Sequence, residues 1–150
     1  MFLARMAYYS RPVWDSRSPE ARRKMLKGIL SAGIHNNPQA GLTGALVFDG
    51  IHFIQILEGM RSRVWATFKR IESDPRHCDV VLAGFLEVPE RLFPNFAVMA
   101  PADGATFKHR VAIPDPDVAT FDMLVAYAAR HFREQKDLRL VSSKRKEPAA

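Results

Sequence analysis

Residues 35–59 read H-N-N-P-Q-A-G-L-T-G-A-L-V-F-D-G-I-H-F-I-Q-I-L-E-G, and the fold can be worked outward from them. Two apolar runs flank Asp49-Gly50, a dipeptide that accepts the positive φ angles of a tight turn, so the stretch predicts a β-hairpin. In the first run Leu42, Gly44, Leu46 and Phe48 alternate with Thr43, Ala45, Val47 and Asp49. Both rows are apolar enough for a strand central in its sheet. In the second run Ile51, Phe53, Gln55 and Leu57 share one face, and His52, Ile54, Ile56 and Glu58 share the other. Gln55 is a primary amide in the most apolar row of the hairpin. Burying an amide without partners costs roughly 2–7 kcal/mol, so something must hydrogen-bond it. Two readings stand: a structural glutamine satisfied within the protein, or a polar ligand lying against this face.

Upstream, Phe2–Tyr9 reads as a first strand, with Phe2, Ala4, Met6 and Tyr8 in one row and Leu3, Arg5, Ala7 and Tyr9 in the other. The first row is apolar up to Tyr8 and the second carries Arg5, so period-2 geometry buries the phenol of Tyr8 rather than that of Tyr9. A buried phenol needs a partner, and Gln55 is the candidate if this strand lies beside the third one. Residues 10–17 are expected to form an irregular loop containing Pro12. Ser18-Pro19-Glu20 then opens a helix, with a capping serine, a proline at the first helical position and an acid at the positive helix end. Met25, Leu26, Ile29, Leu30 and Ile34 give its apolar stripe. Gly28 and Gly33 each cost about 1 kcal/mol relative to alanine inside a helix, which points to a close approach of something to the backbone. Asn36-Asn37-Pro38 is expected to end the helix, because the residue before proline is pushed from helical geometry.

Downstream, residues 61–73 predict a second helix with Val64, Trp65, Phe68 and Ile71 on its apolar face. Arg70 and Asp74, four apart, can meet near its C-terminal end. Cys78–Leu86 reads as a fourth strand, Pro89–Pro94 as a turn segment and Phe96–Ala100 as a short fifth strand. The order β-α-β-β-α-β-β is a split βαβ pattern, an α+β ferredoxin-like sheet with two helices on one face. Residues 101–113 read as irregular. A C-terminal helix is expected over about Pro116–Glu134, packed on the opposite face or against a second subunit. Residues 136–150 read as a charged tail, frayed or disordered.

Composition narrows the function. A chain of 150 residues with 47% hydrophobic content suits one globular domain with a single core. The longest apolar runs are too short to span a bilayer, and M-F-L-A-R-M lacks the layout of a signal peptide. The single Cys78 rules out an internal disulfide and fits a reducing, cytoplasmic setting. The net charge of +6 raises the question of nucleic acid, but its excess sits on the first helix and the C-terminal tail, without interleaved aromatics. Solvated charge is the simpler account, and no Gly-rich phosphate loop occurs.

Tyr8-x-Ser10, Asn37 before G-L-T-G-A-L-V-F, F-I-Q-I-L-E-G and D-P-R-H together resemble the BLUF family, the sensors of blue light using flavin. The resemblance covers residues 2–100. It implies a flavin, FAD with FMN as the alternative, held between the two helices on the sheet. Tyr8 corresponds to the electron and proton donor, and Gln55 to the glutamine that switches its hydrogen bonds beside the flavin. Asn37 corresponds to the asparagine on the flavin carbonyl edge. Arg70 and Asp74 match polar residues near the pyrimidine end, and Arg76 and His77 match the Arg-His pair that follows. In the mechanism so implied, light moves an electron and a proton from Tyr8, and recombination leaves Gln55 rearranged or tautomerised, with absorption shifted to the red.

Three departures from the family pattern matter. The loop after Tyr8 is about five residues longer. F-A-V-M places Phe96 and Val98 where the family usually has tryptophan and methionine, so Met99 falls on the opposite face unless a bulge intervenes. Gly33 stands where polar residues often occur. The expected organisation is a flavin-binding domain over 1–100, a linker and helix over 101–135, and the tail. With no room for a cyclase or phosphodiesterase domain after residue 100, the chain is expected to be a non-enzymatic photoreceptor. It would signal to a downstream protein by contact, as a homo-oligomer, with no membrane or nucleic acid involved. The alternative is a ferredoxin-like interaction module that has lost photochemistry. An acylphosphatase-like enzyme lacks its anion loop here, and an RNA-binding sheet lacks its aromatic signature.

Overall fold

The computed structural model describes residues 2–14, 18–99, 115 and 118–144, with side chains as far as Arg133. Its order is β1 (Leu3–Pro12), α1 (Pro19–Gln39), β2 (Thr43–Phe48), β3 (Phe53–Met60), α2 (Arg61–Glu72), β4 (His77–Val88), β5 (Phe96–Met99) and α3 (Phe121–Lys144). The five strands form one sheet in the order β4-β1-β3-β2-β5, in which β5 runs parallel to β2 and the other neighbours are antiparallel. The expected ferredoxin-like arrangement is therefore present. Its hairpin is central as predicted, and both its rows are buried.

The two rows are buried for different reasons. On one face Met6, Tyr8, Leu42 and Leu57 pack against Val64 and Phe68 of α2, while Leu46, Phe48 and Phe53 pack against Ile29 of α1. On the other face Ala7, Ala45, Val47, Ile54, Ile56, Ala97 and Met99 pack against Leu124, Val125, Tyr127, Ala128 and Phe132 of α3. The C-terminal helix thus covers the face that α1 and α2 leave bare. Its entry is seated by the Phe121 ring over Gly84, where an added Cβ would stand 2.5 Å from the ring.

Several boundaries differ from expectation, each for a local reason. β1 starts at Leu3, leaves Phe2 exposed and runs on to Pro12, so residues 10–12 are strand rather than loop. The hairpin closes one residue later than Asp49-Gly50: Phe48 pairs with Phe53, the Asp49 N–H donates to the His52 carbonyl, and Gly50-Ile51 form the turn. Gly50 takes a φ of 102°, and the Asp49 carboxylate accepts the Ile51 and His52 N–H groups. α1 continues through Pro38 to Gln39. Proline there removes one helical bond close to the end, and the last turn closes with bonds from Ala40, Gly41 and Leu42 to the carbonyls of residues 36–38. Ile34, expected in the stripe, is exposed. α3 begins after Thr120, whose hydroxyl accepts the Met123 N–H, rather than at Pro116, which lies outside the described residues. Its backbone stays helical to Lys144, so the expected tail is helix over 136–144. No glycine or proline interrupts residues 134–144. Residues 101–113 and 145–150 lie outside the described residues.

Candidate functional site

The cleft between α1 and α2 is floored by β1 and β3. Its cavity volume is about 180 Å³, and it opens to solvent. All seven residues singled out in the sequence line it: Tyr8, Asn37, Gln55, Arg70, Asp74, Arg76 and His77. Period-2 geometry aims Tyr8 at this face, and the antiparallel register sets it directly opposite Gln55. The buried Tyr8 hydroxyl donates to Gln55 Oε1. Burial, with a smaller contribution from the Asp74 charge, pushes the phenol well above its ordinary range, so Tyr8 keeps its proton. The Gln55 Nε2 group makes no hydrogen bond among the described residues, and Asn37 Nδ2 is buried without one. Two amide donors thus converge on one cleft with no acceptor among the described residues.

The polar rim is arranged differently from the sequence expectation. Asp74 does not meet Arg70. It accepts from the backbone and guanidinium of Arg76, at 2.7 Å for the closest pair. The tight D-P-R turn after α2 brings these two side chains together, while the exposed Arg70 lines the cleft with no ion pair among the described residues. The Arg76 hydrogen bond holds the Asp74 carboxyl below its usual range. Arg76 also lies 3.4 Å from where a Cβ of Gly28 would stand, one close approach that the helix glycines anticipated. An added Cβ at Gly33 would meet only ordinary contacts with Phe96 and Asn37, at 3.6 and 3.7 Å. Two polar residues gain positions that the sequence reading had not assigned: Ser10 and Thr67, both buried. Ser10 Oγ lies 3.0 Å from His77 Nδ1, and Thr67 lines the cleft. The signals were available, since Ser10 shares the Tyr8 row and Thr67 lies three residues from Arg70.

Burial holds the His77 imidazole below its ordinary range, partly offset by Asp74. The unfolded chain then takes up a proton near pH 6.5 that the folded form resists, so stability rises with pH across that window. Acidifying the flavin-free protein from pH 7.5 to 5.5 should lower its urea midpoint, and His77→Gln should remove part of that slope. An unchanged slope in the variant would show that His77 does not carry it.

β5 follows a regular parallel register, Gly44–Phe96 to Val47–Met99, with no bulge. Phe96 and Val98 face the α1 side and Ala97 and Met99 face α3. Met99 is therefore turned away from the cleft, as the one-residue shift in the sequence required.

The chemistry of this donor set fits an isoalloxazine ring. Its carbonyl and ring-nitrogen acceptors match the two uncommitted amide donors, and its flat apolar body matches walls built from Ile29, Ala32, Gly33 and Ile71. Similar proteins point the same way. The chain is 38% identical over 58 residues to the blue light- and temperature-regulated antirepressor BluF of Escherichia coli (strain K12), a match covering 39% of this chain and 14% of that protein. It is 34% identical over 70 residues to a photoactivated adenylate cyclase subunit beta of Euglena gracilis, covering 47% of this chain and 8% of the other. The chain therefore spans only a small part of either relative. Among solved structures, the BLUF protein BlrB in its dark state matches with a TM-score of 0.56 and 29% identity, over 66% of this chain and 73% of the other. BlsA in its photo-activated state shares the fold, with a TM-score of 0.66 at 18% identity over 85% and 94% of the two chains. The family model described as sensors of blue-light using FAD matches residues 3–99, and the chain belongs to this BLUF family of blue-light flavin sensors.

Proposed function

We propose that the α1–α2 cleft holds the flavin and that the Tyr8–Gln55 hydrogen bond is the element light rearranges. The observation that carries this reading is the buried Tyr8–Gln55 bond beside the buried Asn37 Nδ2 and the Gln55 Nε2, neither of which has a hydrogen-bond partner among the described residues. When bound, oxidised flavin supplies the blue-light absorption and the oxidising power. The protein's own part is orientation. Asn37 offers Nδ2 to a ring carbonyl, and Arg70 lines the cleft with no ion pair among the described residues. Arg76 and His77 shape the rim, with Arg76 held by Asp74. Tyr8 holds its proton at Gln55 Oε1, and Gln55 is free to turn over because only one end of its amide is engaged.

FAD rather than FMN is the proposed cofactor, and the chain is proposed to act without enzymatic activity, by contact with a downstream protein and as a homo-oligomer. Among the described residues no helix is long and apolar enough to cross a membrane, and we assign the chain to the cytoplasm. The proposed output route leads from Gln55 to β5, whose Phe96 and Val98 face the α1 side while Met99 packs in the cluster with α3. Reconstituting the purified protein with FAD, FMN or riboflavin and recording absorbance in darkness and under blue light tests the reading. A reversible red shift is expected; a colourless protein, or bound flavin with no shift, contradicts it. Asn37→Ala should weaken flavin binding about tenfold, equivalent to roughly 1.4 kcal/mol for one lost hydrogen bond. Unchanged affinity by fluorescence titration would leave Asn37 a helix-end residue only.

A further inference from the structure

Glu58 is wholly buried, and nothing in the cleft uses it. It sits three residues from Gln55 on β3, directly opposite Arg5, which sits three residues from Tyr8 on β1. An odd separation turns the two polar cross-strand pairs to opposite faces of the sheet: Tyr8–Gln55 toward α1 and α2, Arg5–Glu58 toward α3. We propose that Glu58 is the positioning residue through which the β1–β3 ladder seats α3.

A carboxylate survives full burial only where donors surround it, and here all of them are identifiable. Arg5 Nε donates to Oε2 at 2.7 Å, and the Phe93 N–H donates to Oε1 at 2.7 Å. The Leu92 N–H lies 3.0 Å from both oxygens. Arg91 adds a bond from Nη1 to the Glu58 carbonyl at 3.1 Å, and it also reaches Thr43 Oγ1 and the Gly41 carbonyl. The segment entering β5 is therefore tied to β3 at this one residue. Its next side chain, Phe93, is only 1% exposed and belongs to the α3 cluster, where its ring meets Phe132 edge-on at 5.4 Å and 85°. The path runs from the ladder to the Glu58 carboxylate, then to the Phe93 backbone and finally to α3. The shared Leu92 N–H gives the carboxylate two ways to divide its bonds between Arg5 and the loop, so a change in strand pairing beside Gln55 has a discrete consequence at Phe93. Coupling of this kind requires the α3 contacts to differ in free energy between two arrangements, and a light-dependent measurement decides that.

This inference rests on the blue-light reading for its trigger but not for the seat itself. The experiment is amide hydrogen exchange over residues 121–133 in wild type and Glu58→Gln, as apoprotein and flavin-loaded, in darkness and under blue light. Gln keeps the shape but puts donors against the donors of Arg5 or the loop. Exchange in α3 is expected to quicken about tenfold in the variant with or without flavin. The flavin red shift should persist, while the light-minus-dark difference in α3, present in wild type, disappears. A variant that keeps this difference, a variant that loses the red shift, or a wild type with a red shift but no difference in α3 overturns the proposal. A wild type with no red shift defeats the blue-light reading alone, and the apoprotein comparison still tests the seat. If Glu58→Gln does not fold, Phe93→Leu decides: faster α3 exchange with an intact red shift and a diminished light-minus-dark difference supports the path, and wild-type exchange overturns it.

Discussion

Tyr8→Phe should bind flavin, fold, and show no reversible red shift under blue light. The ring stays, so its tilted contact with Phe68 at 5.6 Å and its place in the core are kept. Only the hydroxyl is lost, and with it the one proton that the protein holds against Gln55 Oε1. The neighbouring Tyr9 cannot replace it, since it packs on the α3 side of the sheet. The buried Gln55 carbonyl loses its donor, which should cost about 1–3 kcal/mol of stability. Gln55→Ala should give the same spectral result for the complementary reason, the hydroxyl remaining with no amide to switch. Light-minus-dark difference spectra of both variants check this, and a wild-type red shift in either one removes that residue from the mechanism. A Tyr8→Phe protein that fails to bind flavin would instead make the hydroxyl a binding group.

Gly44→Ala is expected to destabilise the fold by more than about 4 kcal/mol, enough to prevent accumulation of folded protein. Gly44 pairs with Leu57 on one side and Phe96 on the other, between the hairpin partner and the parallel edge strand. Its φ of 142° lies where side chains are strained, and a Cβ there would stand 1.8 Å from the Ile56 carbonyl oxygen. That neighbour is backbone in the central strand, so relief would require β2 and β3 to separate. Gly50 provides the control. Its φ of 102° is also positive, but an added Cβ meets nothing within 4 Å, so Gly50→Ala carries backbone strain alone, of order 1–3 kcal/mol. Urea denaturation of the two variants separates steric from conformational cost. A Gly44→Ala midpoint close to that of Gly50→Ala would show that the strands part easily.

Much of this was legible in residues 35–59 and the first strand. Period-2 alternation is a property of the extended backbone itself, so it placed Tyr8 and Gln55 on one buried face before any pairing was known. The apolar character of both hairpin rows required a cover on each side, and α3 supplies the second one. Ordered motifs then named the family, because a cofactor site demands particular side chains at particular spacings. Tertiary structure alone decided which polar groups meet. Asp74 lies within helical reach of Arg70, yet a tight turn delivers Arg76 to it instead. Asn37 lies before a proline that should end the helix, yet bonds from Ala40, Gly41 and Leu42 hold the last turn, and its amide is buried in the cleft. Glu58 shares a row with His52, Ile54 and Ile56, and its donors come from residue 5 and residues 92–93, which no local pattern connects. Local geometry follows from each residue and its near neighbours, whereas the partner of a buried charge is set by which strands and loops converge.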